Sequence, residues 1–419
     1  MISFGDSLIY VTTFFGLFTS IYFLMTLFEA RNRLKFGECV DCPSVSVCIP
    51  CFNEESTVEK TLRSLCKLDY DPRKLEIIVV DDGSSDKTYL KALNFAKRNK
   101  DHNIRVFKKS NGGKHTAVNY ALERSHGEFF GVLDADSFVD KRALKRMMKL
   151  FEDKNVMAVT PSMLVHNPKN ILQRVQYIEY LMGVFLRKVF AQLGSQHVTP
   201  GPFSFFRKTF FEKHGNYHEA HLTEDIEMAL RIQKYGGVIE NALDAFVFTS
   251  GLRSFNSLYK QRLRWYYGFI RNLVDYKELF SRKHGNLGVL VLPASFTSVV
   301  LVIIFLFYSL FNILKNLVNK LMNLYAVNFD IFQLRWFDFD GFFVNTNSLA
   351  VLGFISLALV IIIIVIAKRL SQEKKSISFS YVLFMLTYWI LFGFWWLASI
   401  FAVFFRRGKV KWGHKSGEL

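Results

Sequence analysis

Phe129-Phe130-Gly131-Val132-Leu133-Asp134-Ala135-Asp136 is a short apolar run that ends in two carboxylates one residue apart. Apolar at successive positions rather than alternate ones, it reads as a strand buried on both faces. Its acids fall where the strand should stop. A second stretch has the same grammar: Ile77-Ile78-Val79-Val80 runs into Asp81 and Asp82, then Gly83-Ser84-Ser85. The predicted strands are Val45–Ile49, Leu75–Val80, Ile104–Phe107 and Phe129–Leu133. Runs of helical periodicity lie between them at Thr57–Leu68, Thr88–Arg98 and Thr116–Arg124. Short apolar strands alternating with amphipathic helices give an α/β domain whose mainly parallel sheet is covered on both faces. Ligands of such sheets sit at the carboxyl ends of the strands, which is where these aspartates fall.

Working outward, the 419-residue chain is 51% hydrophobic, and Phe alone contributes 44 residues. That content is uneven. Leu8–Phe28, Leu287–Leu314, Phe342–Ala367 and Ser376–Phe405 carry no charge and are each long enough to cross a bilayer. The first has no basic residue before it, while Arg31, Arg33 and Lys35 follow, an order that suits an uncleaved anchor with its N-terminus outside. Pro293 near the start of the second suggests an interfacial beginning. Lys368, Arg369, Lys374 and Lys375 precede the last stretch, and Arg406, Arg407, Lys409 and Lys411 follow it. Both clusters favour the cytosol, yet the stretch is too short for two full spans, which need about 40 residues. It therefore either crosses once against the charge bias or re-enters. The sequence divides into an anchor over 1–36, a cytosolic domain over 37–284 and a membrane region over 285–419. The net charge of +17 fits basic loops against anionic headgroups. No basic patch coincides with a nucleic-acid motif, so nucleic acid is not expected as a partner.

Cys39, Cys42, Cys48, Cys51 and Cys66 include two CxxC pairs. Cys48 and Cys51 lie along a strand and point to opposite faces, so they cannot hold one ion. The thiols of a cytosol-facing domain are expected to be reduced.

Asp134 and Asp136 can hold a hard divalent cation, which would neutralise a diphosphate leaving group. Gly112-Gly113-Lys114 opens a predicted helix near His115 and offers close backbone approach, a helix N-terminus and a positive charge to a phosphate. Thr223-Glu224-Asp225 precedes the helical run 226–235. It suits a helix N-terminus, and equally places a carboxylate as general base for an acceptor hydroxyl. Gln261-Arg262-Leu263-Arg264-Trp265 suits an interfacial amphipathic helix, and equally pairs a diphosphate-binding arginine with an aromatic platform for a sugar ring.

The order Asp82, Asp134-Ala135-Asp136, Thr223-Glu224-Asp225 and the QxxRW motif Gln261–Trp265, with one apolar segment before and several after, resembles the processive family 2 glycosyltransferases. These include the cellulose, hyaluronan, chitin and poly-N-acetylglucosamine synthases. The resemblance implies a GT-A type nucleotide-binding domain, an inverting transfer and catalysis at the inner face of the cell membrane by a multi-pass protein. It implies that Pro50, Asn53, Glu54 and Asp82 hold the nucleoside of a nucleotide-sugar donor. Lys114 would approach the diphosphate, Asp134 would contact the nucleotide, and Asp136 would ligate Mg²⁺ or Mn²⁺. Asp225 would be the base, while Glu224, Gln261, Arg264 and Trp265 would close over the diphosphate and the acceptor end. The acceptor would be a growing glycan or, in the alternative, a lipid or glycolipid receiving one sugar. Thr199-Pro200-Gly201-Pro202-Phe203 departs from the small-residue stretch of related synthases, and its two prolines should stiffen the loop near the acceptor. With fewer spans than cellulose synthases, the resemblance adds a small membrane subunit or a homo-oligomer to the expected partners.

Overall fold

The computed structural model describes residues 4–29, 36–326, 348–373 and 377–405. In chain order these form α1 (Phe4–Glu29), β1 (Val45–Cys51), α2 (Val58–Cys66), β2 (Leu75–Asp82), α3 (Thr88–Arg98), β3 (Asn103–Lys109), α4 (Lys114–Glu123), β4 (Phe129–Val132), β5 (Phe138–Val139) and α5 (Ala143–Leu150). There follow β6 (Val156–Val165), α6 (Ile171–Gln192), β7 (Ser204–Arg207), α7 (Lys208–His214), α8 (Glu224–Lys234), β8 (Val238–Thr249), α9 (Phe255–Asp275), α10 (Leu292–Ala326), α11 (Ser348–Leu370) and α12 (Ser378–Phe405).

All four predicted strands form, in a single eight-stranded sheet of order β3-β2-β1-β4-β7-β6-β8-β5. β3, β2, β1 and β4 are mutually parallel; β7 runs against both β4 and β6, and β6 is parallel to β8. Every residue of β1 and β2 is buried, because helices cover both faces. Val58, Leu62, Ala92, Leu144 and Met147 of α2, α3 and α5 fill one side. Ala117, Val118, Phe210, Met228 and Ile232 of α4, α7 and α8 fill the other. Cys48 belongs to the second core and Cys51 to the first, so strand alternation does separate them. β3 is one edge strand, and Arg105, Lys108 and Lys109 blunt it against further pairing.

One expectation fails. Cys39 and Cys42 are joined by a disulfide, while Cys48, Cys51 and Cys66 are free. The first pair lies in irregular chain ahead of β1, where Cα atoms 5.3 Å apart fall within bridging range. A strand would have turned them away from each other.

Among the described residues, four helices are long and apolar enough to cross a membrane: Phe4–Glu29, Leu287–Ala326, Ala350–Leu370 and Ser378–Phe405. α12 is one unbroken helix of 28 residues, which favours a single crossing over a re-entrant hairpin. Arg31, Arg33, Lys35, Phe342–Thr346, Lys374, Lys375, Arg406, Arg407, Lys409 and Lys411 lie outside the described residues. The Pro293 segment begins with a turn of π-helix whose Leu287 and Val291 pack, with Leu292, on Ile226, Leu230 and Leu279 of the α/β domain. α6 is the seat for the membrane helices. Phe185 and Val189 meet Leu24 and Leu27 of α1 and Ile363 and Ala367 of α11. α12 lies on α9 through Phe255–Trp395 and Tyr266–Trp396 ring contacts at 5.4 and 4.6 Å.

The β4–β7 junction sets where Asp134 emerges. A Cβ on Gly131 would stand 2.6 Å from the Phe205 ring. Overpacking of this kind costs about 1–3 kcal/mol. Gly131→Ala should therefore lower thermal stability in detergent by that amount, read as a fall in unfolding midpoint.

Candidate functional site

The parallel strands end together, and the acids gather where they end. Asp134 and Asp136 follow β4, Asp81 and Asp82 close β2, and Glu224 and Asp225 open α8 on the opposite wall. Lys114, the first residue of α4, joins the walls. Its Nζ lies 2.9 Å from Asp134 Oδ1 and 3.0 Å from Glu224 Oε1. Burial opposes the lysine charge, but Asp134, Glu224 and Asp225 together hold its pKa above the ordinary value. Gly113, at φ +92°, makes the turn that starts the helix at Lys114 itself.

The adjacent acids of α8 are driven apart. Burial works against the Glu224 charge, yet Lys114 and Arg264 lower its pKa and keep it ionised. Asp225 is raised to about 6, by burial and then by the Glu224 charge. Paired carboxyls with opposed shifts divide into a fixed charge and a proton acceptor. Backbone holds Asp225 in place: Thr199 donates to its carbonyl from N at 3.2 Å and from Oγ1 at 2.7 Å. The 199–203 loop therefore packs against the proposed base. Gly201 lies over the lysine, where a Cβ would stand 2.9 Å from Lys114 Nζ.

Asp136 is raised to about 6 by burial and then by Asp134, and the Ser137 hydroxyl donates to it at 3.1 Å. Glu54 is raised to about 7 by burial, and Asp136, Asp134 and Asp86 add to the rise. Carboxylates that resist ionisation beside one another are a hard oxygen donor set lacking a counter-charge, which suits a divalent cation. No group of three His, Cys, Asp or Glu among the described residues is arranged to chelate an ion. The remaining ligands would have to be diphosphate oxygens or water.

Asp82 is buried and its oxygens are engaged. Lys109 Nζ donates at 2.6 Å, and the backbone N–H groups of Gly112 and Gly113 donate at 3.1 and 2.8 Å. It shapes the Gly112-Gly113-Lys114 turn. Its neighbour Asp81 accepts from Ser84 N at 3.3 Å through Oδ1, while buried Oδ2 has no partner. The unused acceptor at this strand end thus belongs to Asp81, which sequence position could not distinguish from Asp82. Pro50 is paired opposite Val80 in β1, beyond the stretch where β4 runs alongside. Asn53 sits at φ +57° and accepts from Ser85 N and Oγ, which ties the β1 exit to the β2 exit.

Arg264 reaches this wall: Nη1 donates to Leu222 O at 3.0 Å. Ala220, His221 and Leu222, just ahead of the Thr223-Glu224-Asp225 segment, all have positive φ, at +45°, +54° and +66°. Left-handed backbone costs non-glycine residues on the order of 1–2 kcal/mol each. Asn272 Nδ2 braces the turn by donating to Ala220 O at 3.2 Å and Thr223 Oγ1 at 2.8 Å. No residue in 220–222 signals the turn in sequence. Gln261 Oε1 accepts from Arg262 Nη1 at 3.0 Å, and Arg262 stands 4.2 Å from the Trp265 ring centre. Lys114, Asp134 and Glu224 thus meet directly, with Asp225 beside them and Arg264 on the same wall through Leu222, while Gln261 and Trp265 contact Arg262 on α9.

The sequence model described as Glycosyl transferase family 2 matches residues 46–215. Poly-beta-1,6-N-acetyl-D-glucosamine synthase of Staphylococcus epidermidis is 31% identical over 295 residues, which cover 68% of this chain and 70% of that protein. The chain belongs to glycosyltransferase family 2. Another family relative, Beta-monoglucosyldiacylglycerol synthase of Trichormus variabilis (strain ATCC 29413 / PCC 7937), is 30% identical over 239 residues, covering 57% of this chain and 51% of its own. The GT-A fold is shared with mannosyltransferase PcManGT from Pyrobaculum calidifontis, whose structure is in complex with GDP-Man and Mn2+. That likeness has a TM-score of 0.58 at 16% identity and covers 96% of this chain and 100% of that one. A family 2 enzyme with four such helices is a multi-pass membrane transferase.

A carboxyl that protonates more readily in the folded chain than in the unfolded one costs stability at neutral pH and returns it as pH falls through 6. Asp225→Asn should therefore stabilise the protein at pH 7.5 by about 1–2 kcal/mol. The gain should vanish near pH 4, as read from unfolding midpoints at the two pH values.

Proposed function

We propose that this family 2 enzyme extends a β-linked polysaccharide at the inner face of the cell membrane, using a UDP-sugar as donor and inverting the sugar carbon. The observation that carries the reading is the opposed pair at the start of α8: Glu224 is ionised against Lys114, while Asp225 beside it has a pKa of about 6. At neutral pH Asp225 is deprotonated yet still basic enough to take an acceptor hydroxyl proton as that oxygen attacks the sugar carbon. Lys114 would meet the diphosphate. Glu54, Asn53, Pro50, Asp82 and the free oxygen of Asp81 would face the nucleoside. Gln261, Arg264 and Trp265, with Glu224, would hold the diphosphate and acceptor end. Asp136, with Asp134 beside it, would hold Mn²⁺ or Mg²⁺, which supplies charge neutralisation of the departing diphosphate. The anchor over 1–36 and the membrane region over 285–419 would keep the 37–284 domain on the cytosolic surface, where nucleotide sugars are found. A small membrane subunit or a second copy would complete any path for the product.

The relative named as a poly-N-acetylglucosamine synthase favours a polymer and makes UDP-N-acetylglucosamine the first donor to test. The relative named as a glucosyldiacylglycerol synthase supports a second reading, in which one sugar passes to a lipid. Labelled UDP-sugars incubated with membranes containing the protein separate the two. A product ladder of many sugars is expected, and a single-sugar lipid would remove the polymer assignment. Asp225→Asn should lower transfer by about 10²–10⁴-fold while UDP binding persists, and full activity in that variant would end the base assignment. The wild-type rate should fall as pH drops below about 6, because Asp225 then carries the proton it must accept.

A further inference from the structure

QxxRW leaves two positions open, and one of them holds a feature of this chain that the proposed chemistry does not use. Arg262 is 1% exposed, and it is among the largest fully buried side chains of the described residues. Its Nη2 donates to Glu179 Oε2 of α6 at 2.6 Å, and its Nη1 donates to Gln261 Oε1 at 3.0 Å. Its guanidinium lies over the Trp265 ring at 4.2 Å. The other Glu179 oxygen accepts from the Tyr388 hydroxyl of membrane helix α12 at 3.2 Å. One guanidinium therefore grips both Gln261 and Trp265, and it is fixed through a carboxylate to α6 and a transmembrane helix.

Burying such a pair is expensive, and replacing it with apolar residues of similar volume is often neutral or stabilising. Stability alone is a poor reason for its presence. A planar fork can, however, set an indole plane that a methylene side chain could not, because it stacks on the ring while both ends stay hydrogen-bonded.

We propose that Arg262 is a positioning residue. Held by Glu179 and Tyr388, it fixes the plane of Trp265, so that the acceptor end is oriented by the membrane helix beneath it. This rests on the reading of Trp265 as the acceptor platform. The acceptor touches Trp265, and Arg262 acts through it.

The test uses the full-length enzyme in lipid nanodiscs, with the donor found active in the screen above and glycan acceptors of defined length. Arg262→Lys keeps the charge and loses the fork. It should raise the acceptor KM about tenfold, and Tyr388→Phe about threefold, with donor KM and UDP binding changed far less through the Gln261 contact. Trp265→Ala should show the acceptor defect, and Arg262→Lys added to it should cost nothing further, because the arginine then has no ring to set. Additive losses in the double variant, or equal damage to donor and acceptor constants, would overturn the proposal, since a merely structural role predicts both. An unaltered acceptor KM in Arg262→Lys with a damaged Trp265→Ala overturns positioning and leaves the platform standing. An unaltered Trp265→Ala removes the platform, and the proposal with it. If Arg262→Lys does not accumulate, Tyr388→Phe is read against Trp265→Ala in the same way.

Discussion

Lys114 lies half-buried between Asp134 and Glu224, and this one ammonium joins the end of β4 to the start of α8. Without it, Asp134, Glu224 and Asp225 would share a half-buried crevice as like charges, which would favour a proton on one of them. With it, Glu224 stays charged and Asp225 becomes the group that yields. Removing Lys114 would leave Asp134 and Glu224 without their shared counter-charge. The distribution of protons in the site thus depends on Lys114 together with Arg264, and Lys114 is placed by a Gly112-Gly113 turn braced on Asp82.

The second wall is held by less economical means. Three consecutive left-handed residues precede α8, and Asn272 and Arg264 of α9 brace them. The same helix carries Arg262 and Trp265 and lies along α12. The strained turn, the proposed base and the acceptor platform are therefore referred to one helix, itself seated on the membrane region. Strain of this kind persists only where surrounding contacts over-determine it, and it tends to collect at working sites. Asp136 and Glu54, both hard to ionise, lie in the same crevice.

Much of this was legible in the chain. Strands β1, β2 and β4 announce themselves because parallel strands covered on both faces are apolar at nearly every position, and an uninterrupted run such as Ile77–Val80 has few other uses; β3, at the edge, shows only in its short Ile104–Phe107 core. The acids at their ends were legible for the same reason, since a charge cannot stay inside the run. QxxRW was legible as a motif. The disulfide of Cys39 and Cys42 was misjudged, because bonding depends on how an irregular segment folds back. Asp81 and Asp82 could not be told apart, since adjacent residues at a strand end face opposite ways and only the neighbouring loop decides which oxygen stays free.

The sequence by itself determined the fold class, the membrane segments and the residue types of the site, because these depend on local periodicity and on the cost of burying charge. Only the tertiary structure decided which carboxylate keeps its proton longest, which backbone is strained and which arginine of the QxxRW helix is buried. Those are set by distances between groups far apart along the chain, such as Glu179 to Arg262 and Lys114 to Glu224. Electrostatic energies vary steeply with such distances and with exclusion of water, and no pattern along one strand or helix encodes them.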